Sequence, residues 1–228
     1  MDRLELSTAN LADACMRAGV PVRCSGESMR PVVPGSRLAG RALPARHAGS
    51  VDVFLEAFSR AQPGDVLVVD NAGRVDEACV GDLVVLEAQA AGLAGLVIWG
   101  LHRDTADITT IGLPVFSVGS CPAGPASPRP RASDALDRAN VDGWTVTSDD
   151  MIFADEDGVI AVPASRADEV LSIARSIRDT EAGQAKRIKA GESLRSQLRF
   201  DEYLASREQN PALSFRDHLR TVGGAIEE

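Results

Sequence analysis

The stretch CVGDLVVLEAQAAGLAGLVIWGLHRD, residues 79–104, decides the fold. Gly81 stands at a helix entrance, apolar residues run at helical spacing over roughly 82–91, and Gly92 ends the run as a C-terminal glycine does. A short apolar stretch, Gly95 to Trp99, then reads as a buried strand, which leaves Arg103 just beyond a strand end. Helix, glycine turn and apolar strand in that order form half of an α/β unit.

Outward from this unit the same alternation continues. PGDVLVVD (63–70) is a Pro-Gly turn followed by a β-branched strand, GSRLAGRALPA offers an earlier strand in a turn-rich region, and LPVFSVG (113–119) a later one. SCPAGPASPRPRA holds too many prolines for a regular element and is read as loop. MIFADEDGVIAVP reads as two strands joined at Asp157-Gly158, which places Asp155, Glu156 and Asp157 in a turn rather than a metal cluster. STANLADACMRA (7–18), with Ser7 and Thr8 as caps, is a first helix. From Ser165, paired with Asp168 as a capping box, Val170, Ala174, Ile177, Ala185 and Ile188 recur at helical spacing to Gly191. The charged remainder, 192–228, accommodates two more short helices. The expectation is an α/β core over 1–164 and C-terminal helices over 165–228 that pack on the core or on a neighbouring subunit.

Composition narrows the function classes. With 44% hydrophobic and 25% charged residues in 228, the chain can bury a sizeable core. A net charge of −9 argues against a nucleic-acid surface, which needs a basic face to displace counterions. No window reads as a signal peptide or a membrane span, so a cytoplasmic location is expected. Cys15, Cys24, Cys79 and Cys121 form no C-x-x-C pair, and His47, His102 and His218 are dispersed, so any metal must rely on carboxylates.

Arg103, Asp104 and Asp107 crowd five positions after an apolar strand. A surface ion pair is the bland account. Against it, α/β proteins bind ligands outside strand C-termini, and the helix opening at Gly81 offers the free N–H groups of Leu83 and Val84 to a carboxylate. One aspartate suffices for Mg²⁺ when water and substrate oxygens complete the octahedron. An anion site, an arginine and a hard-metal ligand suit a 2-oxo acid, and a Lewis acid on its keto oxygen favours enolate formation.

Asp82, twenty residues, Arg103-Asp104, two residues and Asp107 resemble the D-x20-R-D-x2-E/D signature of the class II pyruvate aldolases typified by 4-hydroxy-4-methyl-2-oxoglutarate/4-carboxy-4-hydroxy-2-oxoadipate aldolase. The RraA-like fold family includes these enzymes and the regulator of ribonuclease E activity A. The likeness extends to ST-x2-L-x-DA at 7–14, PGDVLVVD, G-x2-G-x-VI at 92–98, PVFS-x-G and DGVIAVP. Trp99, where many members carry aspartate, departs from the pattern and is expected to alter pocket shape.

The resemblance implies a three-layer β/β/α swivelling-type domain with a C-terminal helical tail, assembled as a homotrimer or hexamer with sites between subunits. It implies that Asp104 ligates Mg²⁺ or Mn²⁺, that Arg103 contacts pyruvate oxygens, that the Gly81, Asp82, Leu83, Val84 turn binds the carboxylate, and that Asp82 and Asp107 orient Arg103 and metal-held water, the expected proton carrier. Asp82 thereby joins Arg103 and Asp104 in the catalytic set, with Asp107 in support. His102 is read as a loop residue and Glu181 as an exposed helical glutamate. The activity implied is release of pyruvate from a 4-hydroxy-2-oxo acid, with oxaloacetate decarboxylation beside it. The alternative is a regulator that binds an RNase E-type endonuclease without lyase activity.

Overall fold

The computed structural model describes residues 5–25 and 28–222. Its framework is a sheet in which β3 (Leu38–Arg46) is the shared strand. The second half of β3 pairs in parallel with β4 (Val66–Asp70), which pairs with β6 (Gly95–His102), which pairs with β7 (Val115–Ser120). The first half of β3 pairs antiparallel with β10 (Asp150–Asp155), which continues to β11 (Gly158–Pro163) and β1 (Arg23–Ser25). The short strands β2 (Arg30–Pro31) and β5 (Ala78–Val80) edge β7 and β6, and β8 (Arg138–Val141) with β9 (Trp144–Thr147) forms a separate hairpin.

Period-two alternation explains why both faces of these strands are buried. In β4, Leu67 and Val69 face the helices α2 (Asp52–Phe58), α3 (Asp82–Ala90) and α4 (Thr105–Ile111), while Val66 and Val68 face the other way. There they meet Ile152, Ala154, Val159 and Ala161 of β10 and β11 and Val141 and Val146 of the hairpin, so a β-on-β core lies between the two sheet halves. The opposite faces of β10 and β11, through Phe153, Ile160 and Val162, are covered by α1 (Thr8–Arg17) and α5 (Ala167–Lys189). This is the α/β architecture expected, a mixed half-barrel sheet with helices and a C-terminal helical region.

Several local expectations shift. The hairpin pairs Asp155 with Gly158, so its turn residues are Glu156 and Asp157 and not Asp157-Gly158. Asp155 is committed elsewhere: its carboxylate accepts from Thr8 N (2.8 Å) and Thr8 Oγ1 (2.6 Å) at the start of α1 and from Asp157 N, which makes the acidic run a structural turn. The Ser165–Asp168 capping box does not form, because Ser165 lies in a 3-10 turn, Ala164–Arg166, and α5 begins at Ala167 with an Arg166–Glu169 ion pair instead. The apolar anchors of α5, Val170, Leu171, Ala174 and Ile177, lie in its first half, whereas Ala185 and Ile188 are exposed.

Three helices rather than two follow among the described residues: α6 (Leu194–Gln197), α7 (Phe200–Gln209) and α8 (Phe215–Val222). Phe200, Tyr203, Phe215 and His218 hold the last two together by ring contacts, with Phe215 5.0 Å from Tyr203. Residues 223–228 of the expected tail lie outside the described residues. No described helix is long and apolar enough to cross a membrane.

Candidate active site at the entrance of helix α3

Three segments meet at the C-terminal edge of the parallel strands. The β5 strand delivers Gly81, the N-cap of α3, in extended backbone (φ −128°, ψ −174°) with no side-chain cap. No hydrogen bond from a side chain or loop carbonyl reaches the N–H groups of Asp82, Leu83 or Val84 among the described residues, so α3 presents open donors and the positive end of its dipole. The end of β6 is tied to the same place, because Arg103 N donates to Val80 O at 2.9 Å.

Asp104 follows in the left-handed region (φ 60°, ψ 41°), a conformation that costs a non-glycine residue on the order of 1 kcal/mol and that aspartate tolerates better than most. It is the N-cap of α4 yet makes no capping bond. Its Oδ2 lies 3.4 Å from Arg103 Nε and packs so closely over Gly81 that a Cβ added there would stand 2.5 Å from it. Gly124 of the Pro-rich loop gives the guanidinium similar room, since a Cβ on it would come within 2.9 Å of Arg103 Nη1. Two glycines thus let an arginine and a carboxylate crowd one helix entrance.

The entrance opens into a cleft of about 380 Å³. Gly81, Asp82, Leu83, Val84 and Arg103 line it, together with His47, Val51 and Leu55 from the β3–α2 region. That size matches the small end of ligand sites. Of the residues singled out from sequence, the cleft therefore gathers the Gly81–Val84 turn and Arg103, with Asp104 at its edge. Asp107 stands exposed in the first turn of α4, lines no part of the cleft and makes no hydrogen bond or ion pair to Arg103. Arg103 takes its ion pair from Asp104.

His102 is not a loop residue. It ends β6, buried, with Nδ1 2.7 Å from Ser117 Oγ and Nε2 3.0 Å from Thr105 Oγ1, and burial lowers its pKa. Both ring nitrogens are thus engaged within the protein. Glu181 accepts from Asn10 Nδ2 at 2.9 Å, joining α5 to α1. Trp99 lies over Gly73 and lines a second cleft with Arg46, His47, Asp70 and Asn140, so it bears on the first cleft through His47, which lines both.

Sequence reasoning missed the polar group behind the cleft. His47 is buried, stacked on Phe54 (5.4 Å, 9°), and hydrogen-bonded through Nδ1 to Asn71 Oδ1 at 2.9 Å. Arg129 donates to the same oxygen (3.3 Å) and grips Glu77 with two bonds of 2.9 and 2.6 Å. Arg129 holds the Glu77 carboxyl below its usual range, while burial lowers the His47 pKa. Burial also pushes the Cys79 thiol up to about 12.

A metal would have to suit this donor set. Among the described residues there is no group of three or more His, Cys, Asp or Glu that could hold an ion, which excludes a cage of protein ligands there. The single carboxylate of Asp104, about one-third exposed (36%), fits an ion that keeps most of its waters, as Mg²⁺ does.

An uncapped helix entrance beside an arginine in a small cleft, at the strand ends of an α/β sheet, defines a candidate binder of a small anion. The chain belongs to the RraA-like family, Aldolase/RraA, which matches residues 8–161. It is 28% identical over 199 residues to Protein DlpA of Legionella pneumophila, covering 84% of this chain but only 32% of that protein, so it spans about a third of DlpA's length. It is 29% identical over 149 residues to a Halalkalibacterium halodurans protein named "Putative 4-hydroxy-4-methyl-2-oxoglutarate aldolase", covering 65% of this chain and 70% of that one. Among solved structures, Streptomyces coelicolor RraAS2, described as an unusual member of the RNase ES inhibitor RraA protein family, superposes with a TM-score of 0.68 at 25% identity, covering 81% of this chain and 93% of that one.

Proposed function

We propose that this chain is a divalent-metal-dependent lyase that releases pyruvate from a 4-hydroxy-2-oxo acid, such as 4-hydroxy-4-methyl-2-oxoglutarate or 4-carboxy-4-hydroxy-2-oxoadipate, and that it decarboxylates oxaloacetate through the same enolate. The observation that carries the reading is the meeting of the open Asp82–Val84 N–H groups with the Arg103 guanidinium in one small cleft. The N–H groups bind the substrate carboxylate, and Arg103 faces the C2 oxygen, where negative charge grows as the C3–C4 bond breaks. Asp104 would hold Mg²⁺ or Mn²⁺, an ion that supplies Lewis-acid polarisation of the keto oxygen when bound. Asp82, in the first turn of α3, orients water at that site, whereas Asp107, which lines no part of the cleft and does not touch Arg103, takes no part in it.

A homotrimer or hexamer in the cytoplasm belongs to the same proposal. Val51, Leu55 and Leu83 line the cleft yet are 50%, 55% and 74% exposed, an apolar rim suited to a second copy of the chain. Pyruvate release coupled to lactate dehydrogenase, with Mg²⁺ and with chelator, tests the reading. Turnover that needs the ion and disappears in Asp104→Ala supports it; turnover unchanged by both refutes it.

The likeness to RraAS2 favours a second reading, a regulator that binds an RNase E-type endonuclease. Stoichiometric binding to such an enzyme together with absence of lyase activity would replace the first reading with this one.

A further inference from the structure

The cleft contains a titratable side chain that the proposed chemistry has not yet used. His47 lines it together with Arg103 and the Gly81–Val84 turn and also borders the Trp99 cleft, and its ring is fixed from two directions. Phe54 stacks on its face, and Asn71 Oδ1 meets Nδ1 at 2.9 Å.

The partner chain behind it sets the tautomer. Arg129 can only donate, so the Asn71 atom that it approaches at 3.3 Å is the amide oxygen. An oxygen cannot donate to Nδ1, so Nδ1 carries the hydrogen of the neutral ring and Nε2 carries the lone pair. The Gly49 N–H, 3.4 Å from Nδ1, is too distant to compete with the 2.9 Å bond. Glu77 completes the support by clamping Arg129. Nucleophilic and acid–base sites use the same logic, a base oriented by a second group that a third group holds. Nε2 itself has no hydrogen-bond partner among the described residues.

Resting on the retro-aldol reading above, we infer that His47 is the catalytic base that removes the proton from the C4 hydroxyl of the substrate. Nε2 takes that proton, the O–H electron pair becomes the C4=O π bond, the C3–C4 bond breaks, and its electrons form the pyruvate enolate. The imidazolium then returns a proton to the medium, and protonation of C3 completes pyruvate, so atoms and charge balance. Asn71, Arg129 and Glu77 are positioning residues. Oxaloacetate has no C4 hydroxyl: its C3–C4 bond breaks with loss of CO₂ and no proton need be removed. The two reactions share the enolate and differ in their need for His47.

His47→Asn separates them, because asparagine retains an N–H donor near the Nδ1 position for Asn71 and lacks the basic Nε2. Full-length protein with Mg²⁺ is expected to lose about 10²- to 10⁴-fold in kcat for aldol cleavage, the usual worth of a positioned base. Oxaloacetate decarboxylation is expected to stay within about threefold of wild type, which also certifies the fold. Aldol cleavage within about threefold of wild type, or an equal fall in both reactions, overturns the assignment.

In wild type, the acid limb of kcat for aldol cleavage should lie below the ordinary imidazole value of 6.5, because burial opposes the charged ring, and should be missing for oxaloacetate. The charged groups around His47 are Glu77, Arg129 and Asp52, with Asp82, Glu87 and Arg103 lining the same cleft and Arg46 and Asp70 lining the Trp99 cleft. If His47→Asn does not fold, ¹⁵N NMR of the wild-type imidazole decides: a neutral Nδ1–H ring at pH 7 upholds the assignment, and an Nε2–H or doubly protonated ring refutes it. A wild type inactive on both substrates removes the lyase reading itself, which is distinguishable from a wild type active on both with an unaffected variant.

Discussion

Gly81→Ala isolates the geometry of the site from its chemistry. Gly81 sits in extended backbone that alanine adopts without strain, so the change acts through its new methyl group alone. That Cβ would stand 2.5 Å from Asp104 Oδ2, 3.3 Å from Arg103 Nε and 3.4 Å from Arg103 Cγ. A comfortable carbon–oxygen separation is roughly 3.5 Å, so the carboxylate must retreat by about 1 Å. Asp104 is about one-third exposed and can swing outward, which limits the loss of stability to about 1 kcal/mol, or about 2–4 °C in Tm for a chain of this size. Catalysis does not share this tolerance. A 1 Å misplacement costs roughly 10²-fold, equivalent to about 2.7 kcal/mol of barrier. Coupled pyruvate release and thermal melting on the same preparation read both quantities. Full activity with an unchanged Tm would refute the argument, because the crowding of Asp104 over Gly81 would then have no part in function.

Two other perturbations test the support behind the cleft. Glu77→Gln removes the charge that anchors Arg129; breaking a buried pair costs about 3–5 kcal/mol, but Arg129 is one-third exposed (32%), so about 2 kcal/mol is expected in urea unfolding. Arg129 depresses the folded-state pKa of Glu77, so this pair contributes stability above the unfolded carboxyl value near 4.5 that is lost as pH falls through the lower folded value. The wild-type acid limb below pH 4.5 should therefore be steeper than that of Glu77→Gln, and superimposable limbs would contradict it. The Cys79 thiol, pushed up to about 12 and buried, should stay unlabelled by a maleimide at pH 8 while exposed Cys24 reacts, and labelling of Cys79 at the Cys24 rate in native protein would contradict the burial described.

What could be read from the sequence was local. The glycines at 81 and 92 bracket a helix because one opens extended backbone and the other takes φ 77°, and both signals lie within ten residues of what they control. The strands PGDVLVVD and LPVFSVG were equally plain, since every residue of β4 is buried. The Arg103-Asp104 pair was visible as spacing, but its contact with Gly81 was not, because that depends on how β5 lies beside β6. His47, Asn71, Glu77 and Arg129 were illegible for the same reason: Arg129 lies 52 residues from Glu77 and 58 from Asn71, in a loop whose prolines announced only irregular backbone. The capping box at Ser165 failed where a local rule met a competing one, an Arg166–Glu169 pair one residue later.

The central claim is that the Asp82–Val84 N–H groups and Arg103 hold a pyruvate enolate. Deuterium uptake at the methyl group of pyruvate in D₂O, followed by proton NMR with Mg²⁺, reports that enolate directly and needs no knowledge of what the natural substrate carries at C4. Exchange catalysed by the wild type and lost in Arg103→Ala at unchanged Tm is the predicted result. Exchange no faster than buffer with the wild type, or undiminished in Arg103→Ala, would contradict the claim.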